Sequence, residues 1–277
     1  MKAFLHNKRA MSGAAILLFF VLLALFAPLI VPYSPNNILL APMLPPSVHH
    51  LFGTTPQGQD IFSQLIYGTR DTLLVSVCTG LLIAFVQLFM GIFSGYVGGW
   101  VDSVLNTVTN VFLVLPALPL LIVLSAYIPA QDKNIFSIII ILTVAGWASG
   151  AKVLRSQAIS LRDRTFIEAA RMSGEGRTRI VLFNVVPNMF GILAANFFGA
   201  ALYALAFYVL LQFLGLGNIL DISWGTMLYD ALQYSAYLLK EWVYLLAPGV
   251  CIVLLGTGFG LLNFGVDEVA DPRLRRN

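Results

Sequence analysis

Charge is scarce in this sequence, and its scarcity excludes an ordinary soluble domain. Only 10% of the 277 residues are Asp, Glu, Lys or Arg, whereas 58% are hydrophobic and the mean hydropathy is +0.85. Uncharged runs of about 20 residues recur along the chain, and each is long enough to cross a ~30 Å hydrocarbon core as a helix. The composition therefore predicts an all-α, polytopic membrane protein.

Patterns for catalysis, nucleotides and metals are also missing. The two cysteines, Cys78 and Cys251, lie in apolar runs and have no metal-ligand spacing. No GxxxxGK[ST] phosphate loop occurs, so ATP would have to be bound on another chain. The pair His49 and His50 lacks further ligands, and a solvated loop is the favoured interpretation. We predict no catalytic residue, no cofactor and no metal site on this chain.

Six spans are predicted, with the N- and C-termini both cytoplasmic. They cover about residues 13–31, 73–96, 104–127, 134–151, 188–213 and 243–263. In this orientation only Arg70, Lys133 and Lys240 among the basic residues lie outside, as the positive-inside rule favours. Pro116 and Pro119 are expected to kink the third span.

The stretches between the spans complete the prediction. The Pro-rich stretch 32–69 and the segment 214–242 are predicted to be external loops. Residues 1–71 then form an N-terminal span with its loop, and residues 72–277 form a core of five spans. That core includes a cytoplasmic loop over residues 152–187.

The loop 152–187 is the most basic part of the chain, and its sequence predicts two short helices. Thr165 and Glu168 fit a capping box, so the first helix would begin just after Thr165. Gly174 can turn left-handed and end that helix. A second helical run then leads to Pro187, the predicted entry to the fifth span. From spacing alone, an amphipathic helix lying on anionic headgroups is the slightly favoured interpretation.

The order Glu-Ala-Ala, three residues, Gly, and later Pro resembles the EAA loop of binding-protein-dependent ABC importer permeases. In that family this loop is the coupling helix that sits in a cleft of the cytoplasmic ATPase. The resemblance assigns ATPase coupling to Glu168, Ala169, Ala170, Arg171, Gly174 and Pro187. Asn184 and Val186 depart from the residues that the family usually has there.

Further stretches resemble one branch of these permeases, the dipeptide, oligopeptide and nickel group. Gln59 and Gln64 stand where that branch usually has arginines, so the charge pairing that arginines would make is absent. The matching stretches are 52–54, 58–60, 63–64, 68–70, 213–217, 223–227 and 271–275. Their common order along most of the chain makes the resemblance much more specific than the Glu-Ala-Ala motif alone.

The resemblance implies the MetI-like fold of type I ABC importers and a non-catalytic permease subunit in the cell (cytoplasmic) membrane. The implied partners are a second homologous permease, two cytoplasmic ABC ATPases that bind the ATP, an extracytoplasmic solute-binding protein and the lipid bilayer, with no nucleic acid. A peptide is the default solute by family frequency, and a nickel chelate, an opine or an oligosaccharide remain alternatives.

Two other functions stay open at this stage. A secondary transporter or channel would work without ATP, but it usually has charged residues within its spans, and no predicted span has a central one. Such a protein also does not predict a cytosolic docking loop. A non-transporting membrane scaffold is the third possibility. Small-residue pairs, such as Gly91 with Gly95 and Gly146 with Gly150, predict close helix packing, either within this subunit or against a second permease.

Overall fold

The computed structural model describes residues 7–36, 38 and 40–270, and within them the chain is helical with no β-strand. The main helices are α1 (Lys8–Ile30), α2 (Ile61–Val97), α3 (Gly99–Val114), α4 (Ala117–Ala126), α5 (Ile135–Gly146), α6 (Ala148–Arg162), α7 (Thr165–Met172), α8 (Arg177–Ile180), α9 (Phe190–Phe213), α10 (Trp224–Gln233) and α11 (Trp242–Ala270). A π-helical turn (Val181–Val185) and a short α-helical turn (Val186–Asn188) continue α8, and a 3-10 turn covers Ala130–Asp132. The predicted family match at residues 271–275 lies outside the described residues.

Four of these helices, α1, α2, α9 and α11, are long and apolar enough to cross a membrane. Two bent pairs pass the same test together: α3 with α4, which meet at 92°, and α5 with α6, which meet at 51°. If each bent pair is one span, the number of spans is six, as the sequence predicts.

Pro116 causes the sharper of the two bends. Proline lacks the backbone N–H that the helix needs, and it drives the preceding residue out of the helical region. Leu115 accordingly has an extended backbone, with φ −70° and ψ 123°. The predicted kink is confirmed, but at 92° it is a break between two helices rather than a bend within one.

Helix α2 begins at Ile61, about ten residues before the predicted span. Asp60 caps it, because its carboxylate accepts hydrogen bonds from the Ser63 N–H at 2.8 Å and the Ser63 hydroxyl at 2.6 Å. The Asp60 carboxylate also lies 3.0 Å from Nδ1 of His50. His50 is therefore buried and paired, and the expectation of a solvated histidine pair is wrong for this residue.

Other boundaries also shift. Arg70 and Asp71 lie inside α2, ahead of its uncharged part. Helix α6 continues through Lys152 and Arg155, so the first part of the predicted loop 152–187 is helical. The predicted external segment 214–242 contains α10, an amphipathic helix that begins with a capping box between Ser223 and Thr226.

The four long helices pack side by side. Helix α9 lies between α2 and α11, and α1 packs against α2 and α11. The core between them includes Phe20 of α1, Leu205 of α9 and Trp224 of α10, whose indole N–H donates to the Leu65 carbonyl at 3.0 Å. A Cβ placed on Gly80 would lie 3.1 Å from the backbone nitrogen of Ala201, so α2 and α9 are in close backbone contact.

The first and last described helices meet at one face of the molecule. The Asn7 side-chain amide donates to Glu268 at 3.0 Å, and Asn7 also caps α1. With four or six spans, the described ends Asn7 and Ala270 lie on one side. If α1 and α2 each cross the membrane once, the end of α2 near Val97 returns to the side of Asn7, and the loop before Ile61 lies on the opposite side.

A leucine at Gly80 is expected to destabilise the folded chain by about 1–3 kcal/mol, because its side chain would collide with the backbone of α9. Gly260→Leu on α11 is the matched control, since a Cβ there meets no atom within 4 Å. Thermal unfolding of both variants in detergent measures the difference. Equal melting temperatures would contradict the close approach.

Candidate functional site

The Glu-Ala-Ala segment, residues 165–187, is held to the spans through the inner face of α7. Ile167 is fully buried there among Ile92 of α2, Leu154 of α6 and Ile180 of α8. Full burial of an isoleucine side chain contributes about 1.5–3 kcal/mol. This burial helps to hold in place a helix that is only eight residues long.

The opposite face of α7 is open to solvent. Met172 is 84% exposed and Phe166 is 41% exposed, while Glu168 and Ala169 lie beside them on the surface. The Glu168 carboxylate forms no hydrogen bond or ion pair with any residue that the structure describes. Helix α7 thus exposes apolar side chains and a carboxylate to solvent along its length.

Arg171 ties α7 to the end of α2. Its guanidinium lies over the ring of Tyr96, with Cζ 5.5 Å from the ring centroid. Its Nε donates weakly to the Tyr96 hydroxyl at 3.4 Å, and its Nη2 donates to the Arg162 carbonyl at 3.3 Å. A cation over an aromatic face is attracted by the ring quadrupole. Arg171 therefore points inward and positions α7, although the residue is partly exposed.

The start of α7 differs from the prediction. Thr165 is the first residue of the helix, and the residue at the cap position is Arg164, which makes no side-chain cap. The predicted capping box is wrong because the chain reaches helical geometry one residue early, with the Arg164 carbonyl accepting the first helical hydrogen bonds from Ile167 and Glu168. Glu168 is consequently not used as a cap.

The end of α7 agrees with the prediction. Gly174 has φ +79°, and the N–H of Glu175 donates to the Ala170 carbonyl at 3.2 Å, which is the six-to-one bond of a Schellman motif. Asn184, one of the two departures from the family pattern, donates to the Glu175 carboxylate at 3.3 Å. This bond joins the bend to the second short helix.

An ion pair braces the adjoining helices. Arg155 of α6 donates through Nε and Nη2 to the two carboxylate oxygens of Asp102 on α3, at 2.5 and 2.6 Å. A two-bond guanidinium–carboxylate contact fixes orientation as well as distance. Helices α3 and α6 therefore hold a fixed relative position beside the Glu-Ala-Ala segment.

A polar cleft lies on the opposite side of the molecule, where the loop before α2 meets α10. Its volume is about 510 Å³. The carboxamide of Gln64 donates to Gln59 at 2.9 Å, so the two glutamines that replace the usual arginines pair with each other. Asp221 and Asp230 also line the cleft. Burial raises the pKa of both, that of Asp230 to about 6.

Comparison with known proteins assigns the family. The sequence profile of the binding-protein-dependent transport system inner membrane component matches residues 87–276. The chain belongs to this family. A profile for the N-terminal transmembrane domain of oligopeptide transport permease C matches residues 1–46. The chain is accordingly a multi-pass inner-membrane protein with the fold of these transport components.

Curated relatives match this inner-membrane component along almost its whole length. The dipeptide transport system permease protein DppC of Bacillus subtilis is 34% identical, over 98% of this chain and 83% of the relative. The oligopeptide transport system permease protein OppC of the same organism is 31% identical, over 100% of this chain and 89% of the relative. OppC of Mycobacterium bovis is 31% identical, over 99% of this chain and 94% of the relative.

In this family member the predicted site residues do not all face the same way. Glu168 and Ala169 lie on the open face of α7, whereas Arg171 turns toward Tyr96 and Ala170 packs on the buried cluster. Gly174 ends the helix, and Pro187 lies about a dozen residues further on, just before α9. Ile167 and Tyr96 could not be predicted as anchors from the sequence, because a single buried side chain in a short basic helix gives no periodic signal.

Gly174→Val is expected to loosen the end of α7, because a β-branched residue is strongly disfavoured at φ +79°. Gly174→Asn is the matched variant, since asparagine tolerates this conformation and no atom lies within 4 Å of the added Cβ. Hydrogen exchange of the amides in residues 165–176 should rise in the valine variant and stay close to wild type in the asparagine variant. Equal exchange in both would show that the left-handed turn is unimportant.

The raised pKa of Asp230 in the cleft predicts that the stability of the folded chain depends on pH. Because its pKa rises from 3.8 in the unfolded chain to about 6, the folded state holds the proton more tightly. The stabilisation of the folded state by this tighter proton binding is complete below pH 3.8 and is lost as the pH rises through about 6.

Asp230→Asn should reduce the fall in the free energy of unfolding between pH 4 and pH 7 by on the order of 1 kcal/mol, since the half-buried carboxyl is partly screened by solvent. The profile of melting temperature against pH should be correspondingly flatter. The exposed Asp132→Asn variant serves as the control and should follow the wild type. A wild-type melting temperature that stays constant over this range would contradict the prediction.

Proposed function

We propose that this chain is the transmembrane permease subunit of an ATP-driven importer for peptides, and that α7 transmits the action of the ATPases to the spans. The family and the relatives, which are named as dipeptide and oligopeptide permeases over nearly the full chain, support the peptide cargo. The exposed face of α7 on a firmly anchored helix is the observation that carries the coupling role.

The coupling step requires a helix whose inner face is packed firmly against the spans and whose outer face is exposed. A cytoplasmic ATPase would bind the exposed face of α7 that carries Glu168 and Met172, which are one helical turn apart, with the Glu168 carboxylate meeting a basic residue. Force on this face would pass through Ile167 and Arg171 to α2 and α6, since these side chains contact both helices. Movement of the spans between inward-facing and outward-facing states would follow.

The other components lie on other chains. A second, homologous permease would complete the translocation pathway, and two ABC ATPases would bind and hydrolyse the ATP, so this chain itself would be non-catalytic. An extracytoplasmic binding protein would deliver the peptide to the side that carries the polar cleft. The cytoplasmic location of both termini and of the Glu-Ala-Ala segment rests on the distribution of Lys and Arg.

The test is the ATPase activity of the co-expressed complex in lipid, inhibited by vanadate and stimulated by the peptide-loaded binding protein. Glu168→Ala combined with Met172→Ser should reduce this stimulation at least tenfold, because both side chains are exposed and contribute to docking rather than to folding. The melting temperature of the subunit should stay within about a degree of the wild type, as surface substitutions usually change stability little.

Two further variants serve as controls. Gln157→Ala, which is exposed on α6 outside the Glu-Ala-Ala segment, should keep full stimulation. Ile167→Ala should lower stability by about 2–5 kcal/mol, because it leaves a cavity beneath α7. Normal stimulation in the double variant, or the absence of any ATPase that co-purifies with the wild type, would overturn the proposal and favour an ATP-independent transporter or channel.

A further inference from the structure

A second polar cavity lies within the membrane region, among α2, the junction of α5 with α6, and α9. Its volume is about 290 Å³. The lining residues are Gln87, Gly146, Ser149, Gly150, Val153, Asn196, Gly199, Ala200 and Tyr203. None of them is charged, although a cavity between apolar helices could have been closed by apolar side chains.

Three lining side chains carry a buried polar atom without a hydrogen-bond partner among the described residues. They are the carbonyl oxygen Oε1 of Gln87, the amide nitrogen Nδ2 of Asn196 and the hydroxyl of Tyr203. Gln87 as a whole is only 3% exposed. Leaving such an atom unpaired costs about 1–3 kcal/mol, so a cluster of three at one cavity indicates that something else completes their bonding.

Two glycines make room for these side chains. A Cβ on Gly150 would collide with the carboxamide of Gln87, and a Cβ on Gly146 would collide with the ring of Tyr203. By contrast, a Cβ on Gly91 would lie 2.5 Å from the backbone oxygen of Ala151. Hence the predicted close helix packing holds for Gly91 within this subunit, whereas Gly146 and Gly150 accommodate polar side chains.

The chemistry of the cavity selects an uncharged polar ligand. No acidic or basic side chain lines it, and no group of three His, Cys, Asp or Glu residues suited to a metal ion occurs in the described part of the chain. Gln87 offers an acceptor, Asn196 a donor, and Tyr203 a group that can do both. This set complements the N–H and C=O of an amide, and water can occupy the cavity in its absence.

We propose that Gln87, Asn196 and Tyr203 form a subsite in the translocation pathway that binds the peptide bonds of the cargo. This assignment rests on the proposed function as a peptide permease. Contacts with backbone amides, rather than with side chains, would let one subsite pass peptides of different sequence. Gln87 accepts from a peptide N–H, and Asn196 and Tyr203 donate to a peptide carbonyl.

The experiment is ATP-dependent uptake of labelled trialanine by the complete importer in liposomes, at a limiting concentration of peptide-loaded binding protein. Gln87→Leu, Asn196→Leu and Tyr203→Phe should each lower the uptake rate about threefold to tenfold, which is the value of one neutral hydrogen bond. Their melting temperatures should equal or exceed the wild-type value, because the unpaired atoms that they remove have no hydrogen-bond partner among the described residues.

Tyr208→Phe is the matched control. This buried tyrosine is on the same helix but does not line the cavity, and its hydroxyl accepts a hydrogen bond from Gln212 at 3.2 Å. The control should lower the melting temperature and leave uptake unchanged. The cavity variants should therefore lower uptake without lowering the melting temperature. The control should lower the melting temperature without lowering uptake.

Trialanine with one N-methylated peptide bond tests the amide contact directly. At equal loading of the binding protein, the wild type should take it up more slowly than trialanine, and Gln87→Leu should no longer distinguish the two. If the wild type takes up trialanine and all three variants take it up at the wild-type rate, the subsite is overturned and the cavity holds only water. No ATP-dependent uptake by the wild type would overturn the proposed function and the subsite together.

Discussion

Close backbone contact between helices is the constraint on which the structure depends. Lipid gives no hydrophobic drive for one apolar helix to prefer another, so association relies on dispersion contacts and hydrogen bonds. Gly80 packs against Ala201 and Gly13 packs against Gly258, which bring α2 to α9 and α1 to α11 so closely that an added side chain at either glycine would displace its neighbour. These contacts fix the relative positions of the long helices. The helices in turn position α7 at one side of the molecule, the polar cleft at the other side and the cavity between them.

The packed long helices also give a short helix of eight residues, α7, a defined position. Isolated helices of this length are unstable in water, because nucleation costs more than so few hydrogen bonds return. Helix α7 is instead positioned by Ile167 beneath it, by Arg171 on Tyr96, and by the left-handed turn at Gly174. Its outer face needs no internal partner, which leaves it free for another protein.

Polar groups are distributed unevenly, and the distribution follows the solvent. The cleft near α10 faces water and contains carboxyl groups, whose raised pKa values reflect partial burial. The inner cavity contains only uncharged groups, since a charge among the spans would be far more costly. A peptide that entered from the cleft side would thus meet charged groups first and amide partners afterwards.

The sequence by itself determined the helical class, the number of apolar runs, the break at Pro116 and the left-handed turn at Gly174, because each depends on composition or on a local backbone preference. It predicted the capping box at Thr165 wrongly, since a one-residue shift in helix start depends on tertiary contacts. Only the tertiary structure decided that Arg171 meets Tyr96, that Gln59 pairs with Gln64, and that Gln87 and Tyr203 share a cavity. These pairs join residues through the packing of side chains in space, and no periodicity along the chain encodes them.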